Sequence, residues 1–334
     1  MDAAGLQTQI FQHIKNKLPG HLSLVDEVAN ILDVSTDSAY RRIRGEKPMI
    51  LEELYKLCIH FQVSLDRFMN LQSDAFLFSG NIVNTSDFQY DSYLKSVLGN
   101  MKYISGFKER QMYYSCKDIP IFHHFHYKEI AAFKRYVWMK GIFASPEFAN
   151  KKFSLADYSD ELFELGQKSL NIYNQANSVE IWNIESINSS LRQIEFYHES
   201  NMFSNDEEIV LIYDAFEKLI LHLERQADLG YKFLASDEQA SPQGKYQMYF
   251  NEMVIGDNSV LAVLDGTKTA FIIHTVINIM VTRDIRFCDN LYDSMNHLMR
   301  CSTLISTVSE RERSRFFKYL RGRIAARKEK VGLV

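Results

Sequence analysis

Arg41, Arg42, Arg44 and Lys47 stand within seven residues, opposed there only by Glu46, and the short polar residues Ser35, Thr36, Asp37 and Ser38 precede them. That combination suits binding rather than bond-breaking. A local cationic cluster of this kind can attract the phosphates of a nucleic acid even within a domain of near-zero net charge. Because salt screens charge over about 8–10 Å, such a cluster acts locally whatever the net charge around it. A second group, His123, His124 and His126, invites metal ligation, and on a strand His124 and His126 would share a face. Zinc needs further ligands at compatible spacing and none is found, so aromatic-rich core or pocket lining is the preferred reading. There is no glycine-rich phosphate loop, GxSxG elbow or HExxH pair. No catalytic group, metal or cofactor is assigned, and the chain is not expected to be an enzyme.

The 334 residues are 46% hydrophobic and 24% charged, a globular composition long enough for two domains with real cores. Cys58, Cys116, Cys288 and Cys301 lie far apart with no CxxC, so reduced thiols and a cytoplasmic location are expected. No secretory signal opens the chain, and the longest apolar stretch, 269–281, is interrupted by His274 and Asn278 and falls short of the roughly 20 residues a bilayer needs. The net charge of −4 divides unevenly: −1 over residues 1–70, −9 over 71–309 and +6 over 310–334. The basic last segment allows two readings. It could hold phosphate, nonspecific DNA or a partner's acidic surface, or it could be a solvated helix face with Phe316, Phe317, Leu320 and Ile324 buried.

The elements that must carry these residues follow from periodicity. Leu6, Ile10, Ile14 and Leu18 mark a first helix, stopped by Pro19-Gly20. Ser23 caps a second with apolar Leu24, Val28 and Ile31-Leu32, the chain breaks at Asp33-Val34, and Ser35 caps a third that buries Ala39 and Ile43 at i, i+4 and ends at Gly45. A fourth helix is predicted over 51–61 and a fifth from Ser64. The polar stretch 71–86 reads as a linker. Beyond it, helices are predicted near 88–102, 128–143, 157–174, 184–200, 205–229, 284–303 and 309–328. Strands are predicted at 111–116 and in YQMYFNEMVI, SVLAVLD and KTAFIIHTV, the last two joined by an Asp265-Gly266 hairpin turn, with 119–127 as strand or loop. The helical stretch 157–229 could also hide a helix-hairpin array.

Residues 23–69 resemble the Cro/repressor-type, or lambda-repressor-like, helix-turn-helix family. The features that carry the resemblance occur in order: Val28-Ala29 and Ile31-Leu32, the turn Asp33-Val34-Ser35, nine residues to Gly45, Lys47-Pro48, then LEELYKLCIHFQVSLDRF. One departure is Arg42 at a position often apolar in the family. The wider chain looks like long bacterial one-component regulators. The resemblance implies an α+β, mostly helical protein: a five-helix lambda-repressor-like domain over 1–70, and a larger helical and mixed body over 87–334. It implies a dimeric, sequence-specific transcriptional regulator of double-stranded operator DNA, with no membrane partner and a body that senses a small-molecule effector or dimerises. The alternative is an enzyme or protein-interaction body carried on a DNA-targeting module. Thr36, Asp37, Ser38 and Arg41 would face bases, Arg41 or Arg42 would read guanine, and Arg44, Lys47 and the amide at Ser23 would hold phosphate, with Ser35 as the cap of the recognition helix.

Overall fold

The computed structural model describes residues 2–18, 22–61, 63, 65, 75–80, 88–253, 256–274 and 278–331. The chain divides into two units, 1–77 and 78–334, and the division falls inside the expected linker. In the first unit, α1 (Ala3–Lys17), α2 (Leu24–Leu32), α3 (Thr36–Ile43) and α4 (Leu51–Phe61) enclose Ile10, Phe11, Ile14, Val28, Ala29, Leu32, Ala39, Leu57 and Val63. Small Ala29 and Ala39 are buried on α2 and α3, which pack against each other. The expected start of a fifth helix at Ser64 lies outside the described residues, as do residues 66–74.

The second unit is α+β, built on one mixed sheet. Its strands are β1 (Arg110–Cys116), β2 (Asn177–Trp182), β3 (Tyr246–Phe250), β4 (Ser259–Leu264), β5 (Thr267–Ile273), β6 (Ile279–Thr282) and β7 (Thr303–Leu304), in the order β6-β5-β4-β1-β2-β3-β7. The pairs β1/β2 and β2/β3 are parallel and the others antiparallel. The helices are α5 (Tyr90–Ser105), α6 (Lys128–Val137), α7 (Asp160–Gln175), α8 (Asn188–Glu199), α9 (Glu207–Leu229), α10 (Ile285–Arg300) and α11 (Glu310–Lys330). Side chains alternate along the strands: Met112, Tyr114, Trp182, Met248 and Ala262 enter the large aromatic core, while Val179, Ile181 and Leu261 face the layer that α10 covers. The turn at Asp265 (φ +45°) and Gly266 (φ +82°) has the left-handed pair that a tight hairpin requires.

Three expectations change. The stretch 157–229, read as three helices that could form an array, also holds β2 between the first two, an inner strand of the sheet, so it is no helix array. The segment 119–127 contains a helical turn, Ile121–His124, rather than a strand, so the pleat geometry expected for His124 and His126 does not apply. The short strands β6 and β7 have no counterpart among the predicted elements.

At the middle of the sheet Glu180 is wholly buried. Its Oε1 accepts from His123 Nε2 (2.8 Å) and from the Tyr173 hydroxyl, and its Oε2 from Trp182 Nε1 (2.7 Å) and the Tyr246 hydroxyl (2.8 Å). Burial alone would raise its pKa, but His123 and the donated hydrogen bonds hold it at about 2. Near it, Lys232 donates to the Tyr173 carbonyl (2.5 Å) and lies 3.8 Å from that ring's centre; burial lowers its pKa to about 7, against the pull of Glu180. Burial likewise pushes His222 down to about 3, and His124 and His126 well below the usual range.

The signs agree. An unfolded chain binds protons at its histidines from about pH 6.5 downward, and at its glutamates from about 4.3. The folded groups resist protonation to lower pH, so stability present at neutrality drains away on acidification. Thermal unfolding followed from pH 7 to pH 4 is expected to show a steadily falling midpoint for the second unit, and His222→Phe to flatten part of the slope. A midpoint insensitive to pH across that range would contradict the buried, uncharged histidines.

Candidate nucleic-acid interface

Local chemistry builds α3 from both ends. The Ser35 hydroxyl accepts from the Ser38 amide (3.3 Å) at its start, and Gly45, at φ +77°, closes its end. A side chain at Gly45 would be strained by that φ and would press on α1 at Ala4 and Thr8. Before it, the Ser23 hydroxyl caps α2 by accepting from the Asp26 amide (3.4 Å), and Asp33 turns the chain at φ +53°. The segment after α3 is tied down by Gln7 of α1. Its Nε2 donates to the carbonyls of Arg42 (2.7 Å) and Lys47 (2.8 Å), and its Oε1 accepts from the Met49 amide (3.0 Å). Nothing in the sequence points to Gln7, since a polar residue on an amphipathic helix carries no signal of what it holds.

At 100° per residue, Thr36, Asp37, Tyr40, Arg41 and Arg44 share one arc of α3, and all five are exposed. Thr36, Asp37, Arg41 and Arg44 are expected there. Tyr40, 48% exposed, is an addition; it stands mid-arc with the Arg44 guanidinium 5.7 Å from its ring centre. Arg44 also pairs with exposed Glu46 (3.1 Å), whereas Arg41 has no ion-pair partner among the described residues. Lys47 and Ser23 are exposed.

Two expected site residues turn inward. Arg42 is 5% exposed: its Nε and Nη2 donate to the two carboxylate oxygens of Glu53 on α4 (3.0 and 2.6 Å), and its Nη1 to the carbonyl and hydroxyl of Ser38 (3.1 and 2.6 Å). Arg42 therefore does not face outward as expected, and Ser38, half-buried, spends its hydroxyl on Arg42. The buried face of α3 runs through Ala39 and Arg42, at i, i+3, while Ile43 is only half-buried. The hydrogen bonds from Arg42 hold the Glu53 carboxyl below the usual carboxylate range, outweighing the burial that would raise it.

The basic C-terminal segment resolves differently. Phe316, Phe317, Leu320 and Ile324 of α11 are buried, and six of its nine cations are met by acids of the same unit: Arg313 by Asp228, Arg315 by Glu252, Arg321 by Glu224, Arg323 by Glu185 (2.9 Å), Arg327 by Glu195 (3.1 Å) and Lys328 by Asp214 (2.5 Å), while exposed Arg311, Lys318 and Lys330 have no ion-pair partner among the described residues. Much of its charge is thus spent within the chain. No helix among the described residues is long and apolar enough to cross a membrane, and no group of three or more His, Cys, Asp or Glu among them could hold a metal ion.

Compared with protein-family models, curated proteins and solved structures, the chain matches none.

Removing one partner of a buried charge pair leaves the other uncompensated, at about 3–5 kcal/mol. Glu53→Ala is thus expected to destabilise the first unit by that order in the full-length chain. The paired change Arg42→Met with Glu53→Leu, which removes both charges, should recover most of the loss. Denaturant titration of the three proteins checks this; equal losses in the single and paired variants would show that the two residues do not act together.

Proposed function

We propose that the chain is a sequence-specific, double-stranded DNA-binding transcriptional regulator that acts as a dimer, reading its operator with α3 and using the second unit to sense a signal or to dimerise. One observation carries the reading: α3 is rigidly capped, follows α2 through a tight left-handed turn, and turns a continuous polar and cationic arc outward while its other arginine is locked inside. A helix with its side chains is about 10–12 Å across, close to the roughly 12 Å width of the major groove, so the arc and little else would enter.

In that docking, Arg41 is the guanine reader, since its guanidinium is exposed and unpaired, and the choice between Arg41 and Arg42 falls to Arg41. Thr36 and Asp37, at the N-terminal end, reach neighbouring base edges, and Tyr40 packs against the groove wall. Arg44, Lys47 and the N-terminus of α2 at Ser23 hold phosphate and set the register. Arg42 and Ser38 act indirectly, by holding α3 against α4. Two copies bound one helical turn apart, about 34 Å, would favour a palindromic operator.

Binding-site selection on random DNA with the full-length protein tests this directly, and is expected to return a site with two related halves. On that site, Arg41→Ala should cost about 1–3 kcal/mol and relax the preference at one position per half-site. Arg44→Ala should weaken all sequences alike and lower the slope of log affinity on log salt by about 0.9 for each phosphate it no longer neutralises. Recovery of no common sequence, or affinity unchanged in an Arg41→Ala, Arg44→Ala double variant that remains folded, would overturn the assignment.

A further inference from the structure

The second unit contains a cavity of about 670 Å³, within the span of small-molecule sites. Its deep wall is apolar, with Met101 and Ile104 of α5, Met112 of β1, Trp138 after α6 and Val260 of β4, all buried. One end is polar. Lys134 joins Asp118 and Gln193 there with His124 beside it, and Arg192, next to Gln193 in the chain, lines the cavity with Lys117 and Asp257, all three exposed.

The polar end has a definite charge balance. Each acid lining the cavity already has a cation: Asp118 pairs with Lys134 (3.4 Å), Asp257 with Lys117, and Glu185 with Arg323 (2.9 Å). Lys134, 3% exposed, is also satisfied by Ser190 Oγ (2.8 Å) and Gln193 Oε1 (3.1 Å). Of the lining arginines and lysines, Arg192 alone has no ion-pair partner among the described residues. His124, 4% exposed, leaves its Nε2 without a hydrogen-bond partner, and its burial beside Lys134 disfavours a second positive charge on it. A buried polar atom left unsatisfied beside an apolar cavity signals a missing partner.

We propose that this cavity binds an amphipathic monocarboxylate, its apolar body along the α5–sheet wall and its carboxylate at the polar end, between Arg192 and His124. One negative charge balances the one unpaired cation. A cationic ligand would meet Lys134 and Arg192, and a second negative charge would meet Asp118 and Asp257. Occupancy is argued from the cavity alone and stands whether or not the first unit binds DNA; in the regulator reading this ligand is the effector.

Fluorescence titration of the full-length protein with dansyl-undecanoic acid, below micelle-forming concentrations, reads occupancy. Displacement by dodecanoic acid, dodecanol and dodecylamine then reads the head group. Saturable one-to-one binding is expected, with the acid displacing roughly tenfold better than the alcohol or the amine. Arg192→Ala, at an exposed position, should narrow the acid-to-alcohol ratio by roughly two- to fivefold without changing alcohol affinity. Val97→Trp, which fills the cavity from α5, should abolish binding while circular dichroism and the unfolding midpoint report whether the fold survives. The wild-type ligand series does not depend on that variant. Absence of saturable binding, equal displacement by the three compounds, preference for the amine, or an acid-to-alcohol ratio unmoved by Arg192→Ala would each overturn the proposal.

Discussion

A carboxylate with no access to water sits at the centre of the larger unit, and the elements around it are arranged to satisfy it. Burying an unpaired charge is among the most costly things a fold can do, so Glu180 must be surrounded by donors or it would not be ionised. Its four donors come from a helical turn (His123), a helix (Tyr173), its own strand (Trp182) and the neighbouring strand (Tyr246). Each of those side chains is also part of, or packed beside, the aromatic core. The polar network therefore sets the register of β2 against β3 and the position of α7 over the sheet, which apolar contacts alone would leave freer to slide. Lys232, wholly buried against the Tyr173 carbonyl and ring, adds a second titratable group to the same hub.

Much of the smaller unit was legible in the sequence because its signals are local. Ser23, Ser35, Asp33-Val34 and Gly45 are caps and turns whose chemistry is decided within four residues of themselves, and the structure places helix ends where those residues stand. The Asp265-Gly266 hairpin was legible for the same reason. What escaped was decided by contacts distant in sequence. β2 is six residues between two long helices, and its Glu180 breaks the apolar run by which a buried strand is recognised. Only its partners, up to 66 residues away, explain a glutamate there. The four-residue turn Ile121–His124 is too short for either period to show.

Charge was legible in amount and only partly in use. The acidic body and basic tail, opposite in sign by sequence, partly neutralise one another through α11 lying on α9 and α8, so much of the charge of the most basic stretch is met within the chain. A cationic segment says that anions lie nearby. It does not say whether they belong to a ligand or to the same chain.

The same argument separates the three arginines of the α3 region, which composition treats alike. Arg42 has a fork of donors facing two oxygens of Glu53 and two of Ser38, so moving it to solvent would strand a carboxylate that is itself largely buried. Arg44 is shared with Glu46 and Tyr40. Arg41, one position earlier than the buried arginine, is rotated about 100° away from the core and retains its charge. A single arginine placed inward thus does two things at once: it anchors the helix through α4, and it fixes the rotation that turns Thr36, Tyr40 and Arg41 outward together. An apolar residue at position 42 would supply the packing but no directional bonds to hold that rotation.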